Sequence, residues 1–293
     1  MVKKQNNKIF AFRWDIDHLY GLEKGVPRIL DLCKKIGVKN SFYINLGHSV
    51  NLSEWLLRSP SKSIGKLSSK NSINIIKKVG IAEVLRALFI QRNVGLERVD
   101  ILKRIIGEGH ELGLHGIFDH IVWSRRLDSL SQDFIENEVK KAICFFEDKL
   151  GFKPNGFAAP GFKWNQKTLN ILDKFFNFSG DLSGNEPFRV KLKNKVYKHL
   201  QIPVTVIGPD TVPLIEFLLA TGKTEAEIIA AVEREILKQD FSVMYGHPCL
   251  EGMKTEVLEK IFKFVLENNY QFLTIEQIYE RYTKNSSLAV RSL

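Results

Sequence analysis

The 293-residue chain reads as an α/β protein built on a parallel sheet. Two observations predict this. Short apolar runs alternate with stretches of helical periodicity at strand–helix–strand spacing. Aspartates and histidines recur where those runs end, the end at which parallel α/β barrels carry their active sites.

Ile9-Phe10-Ala11-Phe12 is the first predicted strand, and it runs into Arg13-Trp14-Asp15-Ile16-Asp17-His18. Residues two apart in a strand share a face, so Asp15 and Asp17 project side by side. Two adjacent carboxylates repel unless a cation or a shared proton compensates. A metal on one, with the other left as a base, resolves the conflict; a solvated loop or a helix cap is the plainer alternative.

A helix follows from Gly25 to Gly37, with Pro27 in its first turn and Ile29, Leu30, Cys33 and Ile36 as its apolar stripe. Val38 to Leu46 is the next strand. Val99 to Gly109 is helical, and Glu111 to Leu114 is a strand leading into His115-Gly116-Ile117-Phe118-Asp119-His120. Further helices are predicted at Ser131–Leu150, Thr168–Phe176, Thr224–Lys238 and Thr255–Asn268, with one more starting at Ile275. Further strands are predicted at Gly156–Ala159, Leu200–Val206, Phe241–Tyr245 and Gln271–Leu273, with another ending at Asp181. The tail from Lys284 is expected to fray.

One segment breaks the rhythm. Arg58, Lys62, Lys66, Lys70, Lys77 and Lys78 follow one another with no acidic residue between Arg58 and Lys78. Trp55-Leu56-Leu57 precedes this run and the apolar stretch Ile81 to Ile90 follows it. It reads as an insertion at about 51–95 in a single domain spanning 1–293. A solvated basic loop and an element for an anionic membrane both fit this pattern.

The net charge of +10 favours anionic partners without choosing among them. Three widely spaced cysteines, Cys33, Cys144 and Cys249, argue against a disulfide framework and for a reducing compartment. The N-terminal stretch lacks the apolar length of a signal segment, and no run is long enough to span a bilayer. A cytoplasmic protein is expected, with a peripheral place on the inner membrane face left open by the insertion.

The residues at strand ends are Asp15 and Asp17, His115 and His120, Asp181, and His247. One carboxylate and two imidazoles suit a catalytic divalent ion, a second carboxylate can act as base, and a further histidine as acid. That combination is a metal-assisted hydrolase. His18, His48, His110 and His199 are read as structural.

In order and spacing these motifs resemble the polysaccharide deacetylase (NodB-homology) superfamily, over about residues 9 to 280. Within it they are most similar to the 4-deoxy-4-formamido-L-arabinose-phosphoundecaprenol deformylases. Arg13-Trp14-Asp15-Ile16-Asp17 resembles the first motif, Glu111 to His115 with Asp119-His120 and Trp123 the metal-histidine motif, and His247 with Glu251-Gly252 the last. Asp181, Pro187-Phe188-Arg189 and Gln201 to Thr205 resemble the deformylases in particular. The resemblance implies an irregular (β/α) barrel and one divalent metal of the zinc type. It implies Asp15 as base and His247 as acid, with Asp17, His115 and His120 as metal ligands. The wider family's metal histidines are four apart, whereas these are five apart, so Asp119 is the alternative third ligand. The family's motif arginine is missing, and Ala158 stands in its place. Lys163 or Arg189 is expected to orient the base or bind phosphate, with Asp181 and Glu251 also near the substrate.

The implied activity removes an N-formyl or N-acetyl group from an amino sugar, on a polyprenyl phosphate at a membrane. A soluble acylated sugar or polyamine is the alternative substrate, and a catalytically silent barrel binding an anionic partner the alternative class. Nucleic acid is not expected as a partner.

Overall fold

The first strand, β1 (Ile9–Ile16), is buried along its whole length. It lies between β2 (Ser41–Ile44) and β8 (Phe241–Gly246) and pairs in parallel with both. A parallel strand covered on both faces explains the nearly continuous apolar run. The computed structural model describes residues 8–49, 73, 75–82, 84–85, 92–284 and 288–293. The insertion expected at about 51–95 lies largely outside these residues.

The remaining strands are β3 (Glu111–His115), β4 (Gly156–Ala158), β5 (Phe178–Ser179), β6 (Phe188–Leu192), β7 (Lys195–Gln201), β9 (Gln271–Phe272) and β10 (Ala289–Ser292). Their order is β10-β6-β7-β5-β4-β3-β2-β1-β8, with β9 beside β1. All these pairings are parallel except β6 with β7. The ladder does not close. Among the described residues an isolated bridge, Val206 to Met244, joins the segment after β7 to β8. The fold is therefore the irregular, barrel-like α/β arrangement expected.

The period of two along β1 sorts its side chains. Phe10, Phe12, Trp14 and Ile16 point to the helical layer and pack with Ile29, Leu30, Ile261 and Phe262. Ile9 and Ala11 point inward with Val243, Tyr245, Leu200 and Ile202. Arg13 and Asp15 continue the inward row and are buried in it. At the opposite, N-terminal end of the strands, the helix Ile275–Lys284 closes the interior through Ile275 and Ile278. Its first turn is fastened there: the Ile275 N–H donates to Ser41 Oγ at 2.8 Å and the Glu276 N–H to Glu111 Oε2 at 2.8 Å.

Three local expectations are corrected. The strand expected at Leu200–Val206 is instead β7, ending at Gln201, in a hairpin with β6 that turns at Lys193, where φ is 54°. Pro203 cannot donate to a ladder, so the apolar run divides, and Thr205 and Val206 give their N–H groups to Val243 O. The helix Leu214–Ala220 was not predicted. The tail ends in β10, parallel to β6 and exposed.

One contact links the first helix to the far end of the chain. A π-turn at Gly21–Gly25 precedes the helix Val26–Ile36 and rests on the loop after β8. A Cβ on Gly25 would lie 1.9 Å from Pro248 O and 2.5 Å from its carbonyl carbon. Both atoms are backbone, so no rotamer relieves the clash. Gly25→Ala is expected to cost at least about 2 kcal/mol by chemical denaturation. It should also disturb His247, the residue before Pro248. A variant of wild-type stability would show that the two segments are not fitted to each other.

Candidate active site at the strand C-termini

Arg13 is fully buried and makes a forked ion pair with Asp15: Nε donates to Oδ1 at 2.8 Å and Nη2 to Oδ2 at 2.6 Å. Its third donor, Nη1, reaches Gly180 O at 3.0 Å. The rings of Phe162, Tyr245 and Tyr43 surround the guanidinium, with centroids 5.1, 5.5 and 5.7 Å from Cζ. Burial works against both charges. The Asp15 carboxylate nevertheless holds Arg13 above its usual pKa, and Arg13, aided by His115, pulls Asp15 below its own. Arg13 thus occupies the position beside Asp15 that Lys163 or Arg189 was expected to fill. The signal was present in the sequence, since Arg13 and Asp15 are two apart on one strand and must share a face.

Asp17 follows at the end of β1. Its Oδ1 lies 3.0 Å from His115 Nε2, and its Oδ2 lies 3.6 Å from His247 Nε2. Burial raises the Asp17 pKa, but His120, His115 and His247 together hold it well below the usual range. His115 ends β3, and its Nδ1 faces Ala158 O at 3.1 Å. A proton on Nδ1 leaves the Nε2 lone pair toward Asp17, the tautomer a metal ligand needs.

His115 and His120 do not lie on one helix. His115 closes the strand, while His120 opens the helix His120–Arg126, and Gly116 turns between them at φ 83°. The five-residue spacing therefore does not count turns of a helix and does not set the two rings apart. Their rings sit 5.8 Å apart, and His120 Nδ1 is buried without a hydrogen-bond partner. Asp119 is the N-cap of that helix, accepting the Ile121 N–H on Oδ1 at 2.9 Å, and its Oδ2 lies 3.4 Å from His48 Nδ1. Of the two residues, His120 lines the pocket.

His247 follows β8, and a residue that sequence reasoning missed stands behind it. Glu216, on the unpredicted helix Leu214–Ala220, places Oε2 3.4 Å from His247 Nδ1. Burial disfavours the His247 cation, yet Glu216 raises its pKa to about 9. Burial likewise opposes the Glu216 anion, which His247 and Lys78 hold down at about 2. Lys78 Nζ donates to Glu216 Oε2 at 2.7 Å and the Ile73 N–H to Oε1 at 3.1 Å. Lys78, grouped by sequence with the basic insertion, is thus turned into the pocket.

The other candidates occupy supporting positions. Glu251 is buried and accepts the His247 N–H on Oε2 at 2.9 Å. Asp181 is buried and accepts the Ala159 N–H on Oδ1 at 2.7 Å. Lys163 donates to Ser124 O at 2.5 Å, beside the pocket. Arg189 lies on β6 opposite Leu200 and does not line the pocket.

A cation fits among Asp17, His115 and His120, because Asp17 Oδ1 faces His115 Nε2 at 3.0 Å and His120 Nδ1 is buried without a hydrogen-bond partner. Glu216, His247 and Glu251 also bring ligand atoms within 4.8 Å of one another. That trio is the poorer place: the Lys78 ammonium already occupies Glu216 and would repel a dication, and Glu251 is engaged with the His247 N–H.

Fold and site together define a sugar amide hydrolase of the deacetylase class. The chain belongs to the polysaccharide deacetylase family, whose model matches residues 3–175. It is a hydrolase of carbon–nitrogen bonds other than peptide bonds, a deacetylase or deformylase acting on a sugar. A protein of Wigglesworthia glossinidia brevipalpis, named as the 4-deoxy-4-formamido-L-arabinose-phosphoundecaprenol deformylase ArnD, is 27% identical over 271 residues, covering 90% of this chain and 91% of that protein. A protein of the same name from Shewanella sediminis is 24% identical over 289 residues, covering 95% and 88%. A polysaccharide deacetylase structure from Mycobacterium smegmatis shares the fold at 18% identity with a TM-score of 0.65, covering 100% of this chain and 96% of that one. A cobalt complex of a Clostridium thermocellum acetyl xylan esterase shares it at 16% identity with a TM-score of 0.54, covering 94% and 92%.

The two ion pairs yield opposite shifts in pH dependence. Arg13→Met leaves Asp15 buried without its partner, so its pKa should rise and the acidic limb of the activity profile should move to higher pH. A stability cost of about 3–5 kcal/mol should accompany this, and Arg13→Lys should recover part of it. Glu216→Gln removes the acceptor that raises His247, so the alkaline limb should move to lower pH. Profiles of kcat/KM against pH check both, and unmoved limbs would refute the pairing roles.

Proposed function

We propose that the chain is a divalent-metal-dependent amide hydrolase that removes an N-formyl or N-acetyl group from an amino sugar carried on a polyprenyl phosphate. The observation that supports this reading is the convergence on Asp17. His115 faces one of its oxygens and His247 the other, and Asp15 lies beside it on the same strand face. Asp17, His115 and His120 would hold the ion, and zinc suits one carboxylate with two imidazoles. When bound, such an ion polarises the amide carbonyl, acidifies water and offsets charge on the oxyanion.

The chain's own residues move the protons. Asp15, kept ionised by Arg13, takes a proton from the attacking water. His247 carries a proton because Glu216 raises its pKa to about 9, and it delivers that proton from Nε2 to the departing amine. Water adds to the acyl carbon, the C–N bond breaks, and the products are formate or acetate and the free amino sugar. Asp181 and Glu251 hold backbone N–H groups around the site.

The purified protein is expected to contain one divalent ion and to lose turnover on chelation. Asp17→Ala and His115→Ala should bind far less metal, and full metal content in both would refute the ligand set. If His120→Ala retains metal and Asp119→Ala does not, the third ligand is Asp119. Asp15→Asn and His247→Ala should keep the metal and lose about a hundredfold in turnover. No hydrolysis of any N-acyl amino sugar by metal-loaded protein would favour the silent barrel.

We also propose that 1–293 forms one catalytic domain whose insertion meets the inner face of the membrane. Ile76, Ile81 and Leu85 are 45%, 63% and 46% exposed, beside the exposed Lys77. Lys62, Lys66 and Lys70 lie outside the described residues. Among the described residues, no helix is long and apolar enough to cross a bilayer. Basic side chains near an anionic surface contribute about 1 kcal/mol each, screened by salt. Salt-sensitive binding to anionic vesicles is expected, weakened when Lys62, Lys66, Lys70 and Lys77 become Gln. Lys78 is left out of that set because it belongs to Glu216. Equal turnover of lipid-linked and short-chain substrates, before and after the change, would favour a soluble substrate.

A further inference from the structure

A second cavity, of about 440 Å³, adjoins the catalytic pocket. Among the described residues, three cations line it, Arg125, Arg126 and Lys163, with one carboxylate, Asp128. Phe162 and Trp164 supply its aromatic surface, and Phe162 also lines the catalytic pocket.

The loop that carries this surface is held in place. Phe162 has φ 54°, uncommon for a bulky side chain and costly without compensation. One compensation is visible: its ring meets the guanidinium of Arg13, the partner of Asp15. Lys163 O accepts the Trp123 indole N–H at 3.1 Å, and Lys163 Nζ donates to Ser124 O. Both partners belong to the helix His120–Arg126, which His120 begins and whose last turn carries Arg125 and Arg126. Ser124 itself lines the catalytic pocket. The cations and the catalytic residues thus sit on one braced pair of elements. An ammonium bonded to a neutral carbonyl keeps its charge, and Phe162 separates this cationic lining from the catalytic pocket.

We propose that this cavity is an anion subsite that binds a phosphate ester on the sugar substrate while the amide lies in the catalytic pocket. The inference rests on the amide-hydrolase reading and adds what recognises the rest of the molecule. Guanidinium forks match phosphate oxygens in pairs, and the two rings offer flat faces to the sugar or to the first carbons beyond the phosphate.

Three substrates test it: an N-formyl amino sugar as its neutral methyl glycoside, as its 1-phosphate, and as a short prenyl phosphodiester. The wild-type enzyme should prefer both phosphate-bearing forms by kcat/KM. In Arg125→Gln/Arg126→Gln that preference should fall about tenfold or more, through KM rather than kcat, the loss of about one charged hydrogen bond. The double Lys variant should recover part of it. Equal loss with both phosphate forms identifies phosphate itself as the ligand, and loss confined to the phosphodiester assigns the subsite to the lipid-linked ester. No preference in the wild type, or a preference unchanged in the Gln variant, overturns the proposal. Calorimetric titration with geranyl phosphate needs no turnover. Binding that weakens in the Gln variant supports the subsite even if amide hydrolysis itself fails, and unchanged or absent binding overturns it.

Discussion

The buried pair of Arg13 and Asp15 is the constraint on which the rest of the site depends. Two charges without water are tolerated only where geometry and further hydrogen bonds offset desolvation. Here the guanidinium uses its fork on Asp15, its third nitrogen on Gly180 O, and its faces on three aromatic rings. Those partners come from β1, β2, β8, the turn after β5 and the loop after β4. The ion pair therefore fixes the relation among five parts of the barrel wall and leaves Asp15 ionised at the mouth.

The proposed acid and base are built on the same plan from different parts. Asp15 has a cation behind it, and His247 has an anion, Glu216, behind it. Each partner shifts its group toward the charged form, Asp15 toward the carboxylate and His247 toward the imidazolium. Asp17 stands between them and is pulled low by the imidazoles around it. The consequence is a small volume in which carboxylate and imidazole alternate, and such alternation is stable only when side chains from distant strands meet at one end of the sheet.

Much of this was legible in the sequence. The parallel α/β class followed from the alternation of runs, and the face shared by Asp15 and Asp17 from a period of two. What escaped had physical reasons. Arg13 is hidden within a motif, and the resemblance directs attention to Ala158, where the family's arginine stands, and away from Asp15's own neighbour two residues back. Glu216 was invisible because Leu214–Ala220 is a seven-residue helix whose periodicity is too short to register. The apolar run from Leu200 concealed a change of pairing partner at Pro203. The five-residue spacing of His115 and His120 differs from the family's four without separating the rings, because the chain passes from strand to helix through Gly116.

The reach of Lys78 and Ile73 into Glu216 has a consequence for how such proteins can diversify. Long surface insertions are ordinarily exchangeable cassettes, altered without touching the framework. This one contributes a partly buried ammonium and a main-chain donor to the carboxylate behind His247. A graft that imported a relative's insertion would also replace the electrostatic setting of His247. The insertion and the electrostatic setting of His247 are therefore inherited together in this chain.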